Sequence, residues 1–186
     1  MSDFVNYNGR SIKLLPGCKH MMHALYPGGL EWLRAHFAPT LSGAVVRSGS
    51  VRARVSEIGK YVQMAFESSA LAFTLVISPS DESLTFNVTR VNGGTMWASV
   101  VVEEDTPPAA AVRNFFARHS LQLPEDSSMP GQFFPRAPVH LICHISPMPS
   151  EAGMLSRLVT DLFREVCDLS DESELCYEQE EMVNAA

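Results

Sequence analysis

Asn92-Gly93-Gly94 lies between two stretches of alternating apolar and polar residues, LTFNVTRV at 84–91 and TMWASVVVE at 95–103. Asn and Gly tolerate the positive φ that tight hairpin turns demand. Two strands joined this closely run antiparallel. In the first, Leu84, Phe86, Val88 and Arg90 oppose Thr85, Asn87, Thr89 and Val91. The constraint spreads upstream. ALAFTLVIS at 70–78 is nearly all apolar, which suits a central strand, and the polar cluster SPSDE joins it to the hairpin. KYVQMAF at 60–66 follows a turn at Gly59 and reads as a strand, with Tyr61, Gln63 and Ala65 opposing Val62, Met64 and Phe66. VRARV at 51–55 alternates apolar with basic residues, the pattern of a half-buried strand.

The period then changes. Thr106 and Pro107 open a helix as N-cap and first helical residue. Ala111 and Phe115, beside Val112 and Phe116, give that helix an apolar side to lay on the sheet. Residues 121–137 hold three prolines and a glycine and read as a long loop. PVHLICHIS at 138–146 is a further strand. A second good helix runs from a cap at Ser150, with Met154, Leu155, Leu158, Leu162 and Val166 as its buried stripe. The pattern at His20–Phe37 is helical but cut by Pro27-Gly28-Gly29, so the main helix there spans 29–38, before Pro39. The expected architecture is α+β, with an antiparallel β-meander and helices packed mainly on one face, in the order α-β(4-5)-α-β-α-β. Residues 1–19 form an irregular arm, 20–179 a single domain and 180–186 a flexible C-terminus.

Charge is placed unevenly. Residues 161–181 hold nine of the 21 acids and one Arg, a net of −8, while the rest of the chain is near +1. The body therefore lacks the basic face a nucleic-acid binder needs. Arg47, Arg52 and Arg54 form its basic cluster and read as exposed strand residues. The longest apolar runs are strand-length, so no transmembrane helix is expected, and the N-terminus does not have the pattern of a signal peptide. Cys18, Cys143, Cys167 and Cys176 form no CxxC pair and read as reduced thiols, which favours a cytoplasmic location.

Three constellations invite a chemical reading. Cys18, His20 and His23 have the types of zinc ligands, but no distant CxxC or HxxxH completes a set of four. His140 and His144 share a strand face at roughly 13 Å, too far apart to hold one ion together. Cys143, beside His144, points to the opposite face and belongs with Val139, Leu141 and Ile145 in the core. The acidic turn DLSDESE, with Asp168, Asp171, Glu172 and Glu174, lacks the glycine and ligand spacing of a calcium loop. No phosphate-binding loop or nucleophile elbow occurs. Catalytic residues, metal ligands and cofactor sites are therefore not assigned, and no enzymatic activity is expected. What remains is apolar content outside regular elements: Met21, Met22, Phe133, Phe134 and Met148. These either seal the core edge or offer an adaptable surface to another polypeptide.

LVTDLFREVCDLSDESELCYEQEE at 158–181 resembles the closing segment of the YbjN-like and type III secretion chaperone-like superfamily. Leu158, Leu162, Phe163 and Val166 match its amphipathic helix, and Glu174, Leu175, Tyr177 and Glu178 match its short final strand. KYVQMAFESSALAF at 60–73 is similar to the same family's strand pair around a Y-V-Q motif. The resemblance implies a small, acidic, non-enzymatic protein that often dimerises and binds a segment of a partner protein. The expected function is a protein-binding adaptor or chaperone-like domain, with a protein or peptide partner, a homodimer as its own association, and neither nucleic acid nor membrane bound. A self-assembling component of a phage or secretion apparatus is the alternative, and a small metal-dependent enzyme using Cys18, His20 and His23 the second. The acids at the end of the last strand are expected to mark a solvent-facing edge.

Overall fold

A computed structural model of the chain describes the backbone of residues 4–7, 10–13, 44–91, 94–123 and 140–184, and the side chains of 47–91, 94–123 and 141–183. Within them the elements run β1 (Phe4–Tyr7), β2 (Arg10–Lys13), β3 (Ala44–Arg54), a 3-10 turn (Val55–Glu57), α1 (Ile58–Glu67), β4 (Ala72–Pro79), β5 (Thr85–Val91), β6 (Thr95–Glu103), α2 (Pro107–Arg118), β7 (His140–His144), α3 (Ala152–Cys167) and β8 (Glu174–Asn184). The expected helix at 29–38 and most of the 121–137 loop lie outside the described residues. β1 and β2 pair antiparallel, so part of the arm expected to be irregular is a two-stranded sheet.

The β4–β5–β6 meander forms as its alternation predicts. Val91 sits opposite Thr95, and the Gly94 N–H donates to the Val91 carbonyl at 3.1 Å. Thr106 is the N-cap of α2 and Pro107 its first residue. The Thr106 hydroxyl donates back to the Glu103 carbonyl at 2.6 Å rather than accepting from the helix.

KYVQMAF is helical, not extended. Ile58, Tyr61, Val62 and Ala65 are buried in α1 at the i, i+3, i+4, i+7 spacing of one helix face. Alternation at 61–66 fits a strand equally well in isolation, but Ile58, one turn earlier, extends only the helical pattern. In α3 the buried residues are Ala152, Leu155, Val159, Leu162 and Phe163, and Met154 is exposed, so the inward stripe is rotated from the one expected. Its N-cap is Glu151 rather than Ser150. Asp168 closes the helix in the left-handed conformation, with φ 53°, and its N–H donates to the Phe163 carbonyl.

Six strands form one antiparallel sheet in the order β3-β8-β4-β5-β6-β7. β8 is therefore interior. It pairs over Glu174–Asn184 with β3 and over Leu175–Met182 with β4. This corrects two expectations. The acids of β8 do not mark a sheet edge, and the chain from Glu180 to Asn184 is a strand rather than a flexible end. Within the sheet Glu180 and Met182 are 4% and 1% exposed.

Alternate sheet residues enter one apolar cluster: Ala53, Phe73, Leu75, Ile77, Phe86, Val88, Ala98, Val100, Val102, Leu141, Cys143, Leu175 and Tyr177. Inward residues of α1, α2 and α3 join the same cluster, among them Val62, Phe115, Phe116, Leu155 and Phe163. Tyr177 ties three elements together. Its ring stacks on Tyr61 of α1 at 4.2 Å, and its hydroxyl donates to the Arg54 carbonyl at 2.7 Å. Residues of the opposite parity are buried as well. Ala72, Val76, Val91, Ile142 and Met182 share that second face with the polar Thr74, Asn87, Thr89, Ser99 and Glu180. Both faces of the sheet centre are thus dry, although alternation in β5 suggested one apolar and one wet face.

Candidate interaction surface

β3 is the outer strand of the sheet beside β8, and it is long. Eleven residues pair on the β8 side, and no described strand pairs on the other. Arg47, Ser48, Gly49, Ser50, Val51 and Arg52 are all exposed. Which backbone groups face outward follows from the hydrogen bonding at its end. Val55 N–H donates to the Ser173 carbonyl at 3.0 Å, in line with the β3–β8 register. Antiparallel pairs alternate between bonded and non-bonded types. Ala53, Val51, Gly49 and Arg47 therefore turn their N–H and C=O groups toward β8. Arg52, Ser50, Ser48 and Val46 turn theirs away from the sheet. Arg54 belongs to the outward set, and its N–H is indeed taken from outside the ladder, by the Glu57 carboxylate at 3.0 Å.

Exposed side chains along this edge are polar or basic apart from Val51. Arg52, Ser50 and Ser48 stand opposite Cys176, Glu178 and Glu180 of β8. The Ser50 hydroxyl lies 3.5 Å from the Cys176 sulfur, and the Cys176 thiol donates to Glu178 at 3.9 Å. Arg52, Ser78, Cys176 and Glu178 line a shallow depression at this end of the sheet. Arg54 pairs with Glu172 at 2.7 Å. The acidic turn is not merely solvated. Asp171 is bonded by Arg164, and its carbonyl accepts from Ser56 N–H at 3.2 Å. These contacts fasten the turn to the end of β3.

The polar band on the second sheet face contains the most perturbed acid among the described residues. Burial, and then the charge of Glu178 two residues away, push the Glu180 carboxyl up to about 7. Among the described residues its Oε2 has no hydrogen-bond partner, and neither do Asn87 Nδ2 and Ser99 Oγ. Thr74 and Thr89 satisfy one another at 3.2 Å. Nothing in the sequence singled out Glu180. Only its place between β3 and β4 makes it unusual.

Of the residues expected to meet a partner, Met21, Met22, Phe133 and Phe134 lie outside the described residues. Met148 is half-buried and packs against the apolar cluster. Cys18, His20, His23 and the His140 side chain also lie outside them. Cys143 is fully buried with the core residues Leu141 and Ile145, and burial raises its thiol to about 11. Burial likewise lowers the pKa of His144. Among the described residues, no group of three His, Cys, Asp or Glu is placed to hold a metal ion. No described helix is long and apolar enough to cross a membrane. No family model, curated protein or solved structure matches the chain.

Proposed function

We propose that this chain is a non-enzymatic protein-binding module that takes an extended polypeptide segment onto the β3 edge by strand addition. One observation carries the reading. β3 is an eleven-residue outer strand whose exposed central residues leave a row of outward backbone groups with no described partner strand. Unpaired N–H and C=O groups on an edge are a template for another strand. Main-chain bonds then supply affinity, and alternate side-chain positions supply selectivity. In this reading the three described helices cover one sheet face, the resemblance of residues 158–181 to the secretion chaperone-like superfamily is retained without its strand pair at 60–73, where α1 stands, and the module acts in the cytoplasm.

Ser48→Pro tests the proposal. It removes an outward N–H, and proline is tolerated on an edge strand where that group faces away from the sheet. The variant should melt like the parent yet lose the polypeptides that the parent retains. Hydrogen exchange should show Ser48 and Ser50 amides protected only when a partner is present. Retention of the same polypeptides by parent and variant would overturn the proposal.

A further inference from the structure

The open part of the β3 edge stops short of Arg54. The Arg54 N–H is taken by the Glu57 carboxylate and the Arg54 carbonyl by the Tyr177 hydroxyl. Residues 47–52 remain, and every one of them is exposed. Arg47, Gly49 and Val51 stand on the face that carries the helices, opposite Glu181, Gln179 and Tyr177 of β8. Ser48, Ser50 and Arg52 stand on the other face. Gly49 leaves a notch on the first of these. Among the described residues, a Cβ there would meet only the Gln179 side chain, at 3.7 and 3.8 Å, so its outer side is open. Val51 lies beside the notch and is 46% exposed, the only large apolar side chain so exposed among the described strand residues. Gly49 turns its main-chain groups toward β8. On its outer side it therefore forms a non-hydrogen-bonded pair with an antiparallel strand, the type in which opposed side chains stand closest. An aromatic ring on the incoming residue can lie across such a glycine and reach Val51 on the diagonal.

Charge selects the flanking positions. β3 carries Arg47, Arg52 and Arg54 and no acid. Arg54 is paired with Glu172. Among the described residues Arg47 and Arg52 are in no ion pair. A carboxylate on the incoming strand stands about 5 Å from the arginine it faces and roughly 10 Å from the acids of β8, one strand further in. The second distance exceeds the Debye length of about 8 Å at physiological salt, so attraction to the arginines wins. From the notch and the unpaired arginines we infer that the β3 edge receives an antiparallel segment of defined chemistry. It carries an aromatic residue opposite Gly49, an apolar one opposite Val51 and a carboxylate opposite each of Arg47 and Arg52. In its own direction the segment runs acid, apolar, any, aromatic, any, acid. This inference rests on the strand-addition reading and names the chemistry of the partner.

A fluorescein-labelled peptide of sequence Thr-Glu-Val-Thr-Phe-Thr-Glu-Thr, titrated with the full chain, tests it by fluorescence anisotropy. Exchanging Phe with the Thr before it keeps the composition but turns the ring to the other face, opposite Ser50. That peptide should bind about fivefold more weakly. Replacing both Glu by Lys should weaken binding at least about tenfold. Reversing the charge of the edge with Arg47→Glu and Arg52→Glu together should invert the preference, so that the Lys peptide binds better than the Glu peptide. Absence of either preference in the parent would overturn the inference, as would a preference for Glu that survives reversal of both arginines. The two readings fail separately. Peptides that bind the parent equally well, and are all lost in Ser48→Pro, sink this partner chemistry and keep strand addition. If no peptide of the set binds, the inference falls, and the polypeptides kept or lost by Ser48→Pro decide strand addition by themselves.

Discussion

Glu180 shows how much a residue's behaviour depends on where the backbone takes it. Its carboxyl is raised from an ordinary 4.5 to about 7 because desolvation disfavours the anion and Glu178 adds like charge. Between those pH values the folded chain holds a proton that the unfolded chain has released. Stability therefore falls as pH rises through this window, and the loss is complete above about 7. Glu180→Gln keeps the neutral shape without the titration. By urea unfolding it should be more stable than the parent by on the order of 2 kcal/mol at pH 8, with the gain gone near pH 4.5. A gain independent of pH would place its cause elsewhere. Tyr177→Phe isolates a second single-atom effect. It leaves the Tyr61 stack but strands the Arg54 carbonyl, and should cost about 1–2 kcal/mol in the same measurement. No cost would mean that water satisfies that carbonyl as well as the hydroxyl does.

At the level of elements, local pattern carried part of the way. β4, β5 and β6 were legible because alternation, a polar turn and Asn92-Gly93-Gly94 agree with one another. The start of α2 was legible because Thr106-Pro107 can open a helix but not continue a strand. α1 is not legible because six residues, Tyr61–Phe66, satisfy both periods. Ile58 settles it, but Gly59 beside it suggests a turn. β8 is legible only to Glu178. Glu178, Glu180 and Glu181 look solvated, and the force that holds them is pairing with β3 and β4, more than a hundred residues earlier. The candidate site was hidden for a related reason. VRARV has the pattern of a strand, but its outer position depends on strand order, which no local window encodes. Deleting residues 180–186 tests the interior position of β8. It removes the pairing of Ala44–Ser48 and Ala72–Thr74 and the buried Met182. A loss of at least about 3 kcal/mol, or roughly 6–12 °C in Tm, is expected. An unchanged Tm would restore the view of this segment as a tail.

Across the whole molecule, the acid-rich C-terminal stretch is a structural seam. Arg164 bonds Asp171, Arg54 bonds Glu172, and Arg118 bonds Glu165, so part of its charge is matched within the fold. The seam also fixes when the sheet can be finished. Ser50 and Cys176 touch across 126 positions of sequence. At synthesis rates of about 5–20 residues per second, β3 leaves the ribosome roughly 6–25 s before the strand that seats it. β4, β5 and β6 can zip together during that interval, since each neighbour follows directly. β3 cannot join them, because the lane beside β4 is reserved for a strand not yet made. The pace of translation, rather than any search by the finished chain, sets the earliest moment at which this sheet can close.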